Sequence, residues 1–176
     1  MVPIVGYPNP PPPGLNETVE AAGYTLANIG GVWSTSDAAA AAAILAIVAS
    51  YNPIPYVIAL KKQEAADMKE VVEAGGITTS GGIPLDTAPE NQLRLLRLSC
   101  STEATPLPAT FMVKDRNGVI RSLTRSDART LGSDINTFFQ NCTNGEGLAV
   151  AAVTANGLTW EQIMAVDIRS FFPANS

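Results

Sequence analysis

The chain has 176 residues, 46% of them hydrophobic, with 16 acidic and 11 basic side chains, a net charge of -5 and a pI near 4.6. That is enough apolar material for one ordinary domain or a domain with an added arm, and the acidic balance argues against a nucleic-acid partner, which needs Lys and Arg massed on one face. Histidine is absent, which removes the commonest general base and zinc ligand, and two cysteines cannot complete a structural zinc site.

Residues Met1 to Leu15 are rich in proline, and Pro10, Pro11, Pro12 and Pro13 favour an extended polyproline conformation without internal hydrogen bonds. The expectation is an arm outside any self-sufficient core, either loose or laid on a partner. Its apolar run is broken by prolines and has no basic flank, so neither a signal peptide nor secretion is indicated. In "GYTLANIGGVW", Tyr24 and Leu26 alternate before a glycine turn, and Val32 and Trp33 follow it, which suits two short strands.

Ser36 is the expected N-cap of a helix through "AAAAAAILAIVASY", stopped by Asn52-Pro53. Ala38 to Val48 falls well short of the roughly 20 apolar residues that cross a bilayer, so membrane insertion is not indicated. Beyond "NPIP", Ile54, Val57, Ile58, Ala65, Met68 and Val72 recur at helical spacing until Gly75-Gly76, predicting a long helix with Lys61, Lys62, Glu64, Asp67 and Lys69 on its wet side.

"GGITTSGGIPLDT" reads as two short strands, Ile77 to Thr79 and Ile83 to Leu85, about a Ser80-Gly81-Gly82 turn. Thr87 and Glu90 have the spacing of a capping box for a helix through Leu93, Leu95 and Leu96, followed by the loop "STEATPLPA". "TFMVKDRNGVIRSLT" predicts a hairpin turning at Asn117-Gly118, with Phe111 and Val113 on one face. Thr124 and Asp127 resemble a second box, opening a helix whose stripe of Ala128, Leu131, Ile135, Phe138, Phe139 and Cys142 is expected to end at Asn144-Gly145. "EGLAVAAVTANG" then predicts another short helix, and Thr159 with Gln162 a third box opening the last one. The expected fold is α+β, helices packed with two short hairpins and carrying the arm. Its expected parts are 1–33, the arm and short strands; 34–75, two helices; and 76–176, an α+β domain.

Local chemistry offers no catalytic set. A phosphate loop of the Gly-x-x-x-x-Gly-Lys-Ser/Thr kind needs a lysine that Gly81-Gly82 lacks, and a dinucleotide loop needs a strand before it where a helix is predicted here. Asp86 with Glu90, or Asp115 or Asp127, could be taken for an acid-base pair, but each has a turn or capping task. Basic residues from Arg94 to Arg129 are interleaved with Glu90, Glu103, Asp115, Asp127 and Asp134, as on a solvated mixed-charge face. Cys100 and Cys142 could be bridged, though buried free thiols fit better. Trp33, Phe171 and Phe172 are the aromatic candidates for partner contact, with Pro10 to Pro13; no cofactor, metal or enzymatic activity is expected.

From residue 52 to 168 the order of "NPIP", "AGGITTSGGIPLDT", "ENQLRLLRL", "FMVKDRNGVIRSLTRSDARTLGSDINTFFQNC" and "TWEQIMAVDI" resembles a domain of unknown function of tailed-bacteriophage proteins, encoded near tail-fibre genes. "GGVWSTSDAAAAAAILAIVASYNP" resembles the segment that often precedes it. Here "TAPENQ" replaces an acidic Thr-Asp stretch, and "INTFFQNC" stands where relatives often carry a histidine, so any role of that histidine is absent. The resemblance implies a virion protein of the tail fibre or baseplate, bound to other tail proteins in a homo- or hetero-oligomer. The alternatives are an assembly chaperone absent from the mature virion and, disfavoured by the missing nucleophile motif, a small lysis enzyme.

Overall fold

The computed structural model describes residues 1–89, 91 and 109–174. In chain order the described elements are β1 (Val2–Pro3), α1 (Leu15–Ala21), β2 (Ala27–Ile29), β3 (Val32–Thr35), α2 (Ala38–Ser50), α3 (Ile54–Ala74), β4 (Ile77–Thr78), β5 (Pro84–Leu85), β6 (Thr110–Lys114), β7 (Ile120–Thr124), α4 (Arg125–Val153), α5 (Trp160–Met164) and a 3-10 turn, Ile168–Phe171. The fold is α+β. It forms two compact units, residues 1–61 with 156–165 and residues 62–155 with 166–176.

The first unit is built on an antiparallel sheet ordered β1-β3-β2, with Val2 opposite Thr35 and Asn28 opposite Trp33. Helix α2 packs on β1, β3 and α1, and Ile4, Tyr7, Leu15, Val19, Ala41 and Ile44 close the core. The N-terminal segment therefore corrects the expectation of an arm outside any core. Ile4 and Tyr7 are 4% and 8% exposed, and Ile4 N–H donates to Trp33 O at 2.8 Å. The prolines need no ladder partners, and the segment is fastened at their ends: Tyr51 donates its hydroxyl to Pro13 O, Leu15 N–H reaches Pro12 O, and Asn9 Nδ2 reaches Gly31 O at 2.9 Å. Three apolar side chains in the first fifteen residues supply burial that the proline count conceals.

The N-cap of α2 is Asp37 rather than Ser36. Its Oδ1 accepts from Ala40 N–H at 2.9 Å while Ser36 donates its hydroxyl to Oδ2, so the serine braces the cap.

In the second unit α4 carries the core on one face. Ala128, Leu131, Ile135, Phe138, Cys142, Ala149 and Val153 recur every three or four residues and are buried. Its capping box forms as expected, Thr124 Oγ1 accepting from Asp127 N–H and Asp127 Oδ2 from Thr124 N–H at 3.1 Å. The helix runs through Asn144-Gly145 to Val153, which corrects both the expected stop and the separate helix after it. Gly145 is instead the place where the chain's last turn comes against α4.

The β6-β7 hairpin pairs Phe111 with Leu123 and Val113 with Arg121, placing Val113 and Leu123 in the core. Its turn uses Gly118 alone at positive φ (83°), and Asn117 keeps an ordinary backbone. Asp115 carries the turn: its Oδ1 accepts from Asn117 and Val119 N–H at 3.0 and 2.9 Å, and its Oδ2 from Arg121 Nε at 2.9 Å. The second short hairpin is present as β4-β5, with Ile77 opposite Leu85. Thr159 and Gln162 form their box at the start of α5. Glu90, the leucine helix from Leu93 and Cys100 lie outside the described residues, and Cys142 is a buried free thiol.

Candidate functional site

Two surfaces stand out, one on each unit. In the first, the hydrogen bond from Ile4 to Trp33 carries the β1 register on towards Val32, and Val32 is paired with Ile29, so Val5, Ile29 and Val32 share one end of the sheet. They are 85%, 64% and 51% exposed. Residues 1–60 contain only three charged side chains, Glu17, Glu20 and Asp37, and no Lys or Arg. Apolar surface in so uncharged a segment has the composition of a contact region, where charge is depleted.

Trp33, next to Val32 in β3, is half-buried, with its ring 5.3 Å from Tyr7, and its Nε1 is buried without an acceptor. Tyr7 donates to Asn16 Oδ1 at 2.7 Å, and burial, with Glu17 and Glu20 adding to it, pushes its hydroxyl up to about 12. Of the proline candidates, Pro10 is exposed and Pro11 to Pro13 are half-buried.

Phe171 and Phe172, the other aromatic candidates for partner contact, lie against α4. Phe172 is buried at 7% exposure and Phe171 is half-buried, both beside Gly145. Arg169 holds this turn by donating to the carbonyls of Phe172 and Pro173 at 3.2 and 2.9 Å. An aromatic pair near a chain end suggests a free surface by sequence alone, and only the small residue on α4 signals where it goes.

The second surface is a cleft of about 260 Å³ between the β4-β5 turn and α4, lined among others by Ser80, Asp134, Thr137, Phe138 and Asn141. Ser80 donates both its N–H and its hydroxyl to Asp134 Oδ2, each at 2.8 Å. The turn beneath is closed by Gly82 N–H to Thr79 O at 2.8 Å and Ile83 N–H to Thr79 Oγ1 at 3.1 Å. The glycine-flanked hydroxyl stretch thus forms a hairpin turn and one wall of a polar recess. Asp134 was legible only as one of several interleaved charges, because its partner is 54 residues away.

Of the carboxylates considered as acid-base candidates, Asp86, Asp115 and Asp127 are structurally engaged. Asp86 Oδ1 accepts from Ala88 N–H at 2.9 Å, while Asp115 and Asp127 hold the turn and the capping box. Lys69 and Glu146 pair at 3.0 Å beside Glu73 and Cys142; burial pushes the Cys142 thiol up to about 11, the range of an unreactive thiol. Among the described residues no group of three or more Asp, Glu or Cys could hold a metal ion, and no single helix is long and apolar enough to cross a membrane. No family model, curated protein or solved structure matches the chain.

Proposed function

We propose that the chain is a structural protein of a bacteriophage tail, associated with the fibre or baseplate and held by protein-protein contacts with other tail subunits. The observation that carries the attachment is the exposed apolar sheet end of Val5, Ile29 and Val32 in a segment almost free of charge. Residues at the centre of protein interfaces have this composition, and a monomer seldom leaves such a surface bare. The tail assignment rests on the resemblance across residues 52–168, above all "GGITTSGGIPLDT" followed by the hairpin and long helix. A structural rather than enzymatic role is part of this reading, supported by Asp86, Asp115 and Asp127 being engaged in turns and caps.

Mass spectrometry of purified virions tests this directly. Full-length chain in mature particles, at a stoichiometry comparable to other tail proteins, is the expected result. Its presence in assembling tails and absence from mature particles would assign it to fibre assembly instead.

A further inference from the structure

Attachment through the first unit leaves the polar cleft of the second unit without a task. The donors and acceptors lining it select among ligands. Asp134, Thr137 and Asn141 lie at i, i+3 and i+7 on α4 and so share one face of the helix. Both Ser80 hydrogen bonds fall on Asp134 Oδ2, which fixes the carboxylate while Oδ1 accepts neither. Thr137 and Asn141 are exposed, offering a hydroxyl and a carboxamide that can donate and accept at once. Phe138 also lines the recess but is 8% exposed, so only a small part of its ring borders the opening.

Among the described residues no Lys or Arg lines the cleft, so a phosphate or carboxylate would meet Asp134 with no compensating cation from them. A wholly apolar ligand would strip water from Ser80, Thr137 and Asn141 and return no hydrogen bonds. A neutral ligand that alternates hydroxyl groups with C–H surface satisfies both halves of the lining.

We propose that this cleft binds a single neutral sugar ring. Adjacent hydroxyls donate to Asp134 and a further hydroxyl pairs with the Asn141 carboxamide, while C–H groups of the ring lie beside the small exposed part of Phe138. At about 260 Å³ the cleft lies just under the roughly 300–1,000 Å³ of sites for larger small molecules, the scale of one ring rather than a chain of them.

The test is amide NMR of the full chain, titrated separately with the methyl glycosides of glucose, galactose and mannose, and with inorganic phosphate. Expected are saturable shifts at Ser80, Gly81 and Asp134 to Asn141 with at least one glycoside, with a Kd on the order of 1–10 mM, and none with phosphate. Asn141→Ala removes an exposed side chain that makes none of the Ser80 contacts, and it should weaken binding about tenfold. Asp134→Asn keeps an acceptor for Ser80 and should weaken it by a similar factor. The proposal is overturned if all three glycosides leave these amides unmoved, if phosphate titrates them, or if sugar binding is unchanged in both variants while their spectra remain dispersed.

Discussion

Gly145, in the middle of α4, faces the backbone of Phe171 so closely that a Cβ there would stand 2.7 Å from Phe171 O and 3.2 Å from Phe172 Cδ1. Gly147, two residues on, has nothing within 4 Å of the same position. An alanine in a helix interior ordinarily stabilises it by about 0.5–1 kcal/mol relative to glycine, and Gly147→Ala should do so. Gly145→Ala should reverse the sign, costing roughly 1–3 kcal/mol because the obstructing atom is backbone and cannot swing aside. Urea unfolding followed by circular dichroism measures both, and faster amide exchange across Ile168–Phe171 in Gly145→Ala would locate the damage. Equal stabilisation by the two alanines would mean that the last turn does not dock on α4.

The fate of the N-terminal segment is decided at Ile4. If the segment were a loose arm, Ile4→Ala would change little. Because Ile4 is 4% exposed within the cluster of Tyr7, Leu15, Val19 and Ile44, the substitution should cost about 2–4 kcal/mol. Both tryptophans, Trp33 and Trp160, belong to the first unit, so indole fluorescence during urea unfolding reports that unit selectively. A transition midpoint unchanged from the native chain would restore the arm.

These contrasts show which parts of the molecule could be read from the sequence. Thr124 with Asp127 and Thr159 with Gln162 find their partners three residues away, and the Asp115-to-Gly118 turn is set by its own four residues, so local rules located them. Gly145 carries the local signature of a helix end, yet its requirement comes from Phe171, across a loop and a further helix in the chain. Ser80 and Asp134 lie 54 residues apart and Arg116 and Gly75 lie 41 apart. No pattern within one element reports such pairs, and the cleft is made of one of them.

Arg116 is the second such long-range tie. Its backbone N–H donates to Pro84 O at 2.9 Å, and its Nη2 donates to the carbonyls of Gly75 and Leu85 at 3.0 and 3.1 Å, joining the β6-β7 turn to the end of α3 and to β5. A charge-assisted pair of this kind at an exposed residue contributes roughly 1–2 kcal/mol. Arg116→Ala should lose that amount in urea unfolding. Arg116→Lys should recover only part of it, because an ammonium on a flexible stem lacks the planar guanidinium fork. Full recovery by lysine would mean that charge alone holds the joint.

Glu73 gives the chain a pH dependence opposite to that of its aspartates. Burial raises its carboxyl above the ordinary 4.5; nearby Lys69 opposes the shift, while Glu146 and Glu70 add to it. A carboxyl raised on folding stabilises the folded state while protonated, and that contribution is lost as the pH climbs from 4.5 through the folded value, leaving ionised Glu73 a liability at neutral pH. Asp37, Asp115 and Asp127 are lowered below the ordinary 3.8. The Ala40 N–H does this for Asp37 and the Thr124 hydroxyl for Asp127; for Asp115 burial pushes upward but is outweighed by the Val119 N–H, Arg121 and the Asn117 N–H. Their contribution is present above 3.8 and disappears as the pH falls through the folded values. Glu73→Gln should therefore raise the thermal midpoint at pH 7 by roughly 1–3 °C, a small effect because the site is only partly buried. The gap should close as the pH approaches 4, where native Glu73 takes up its proton, while both proteins lose stability together on further acidification. Thermal scans from pH 3 to 8 measure this, and an advantage that stayed constant across the range would trace to packing of the amide rather than to the charge.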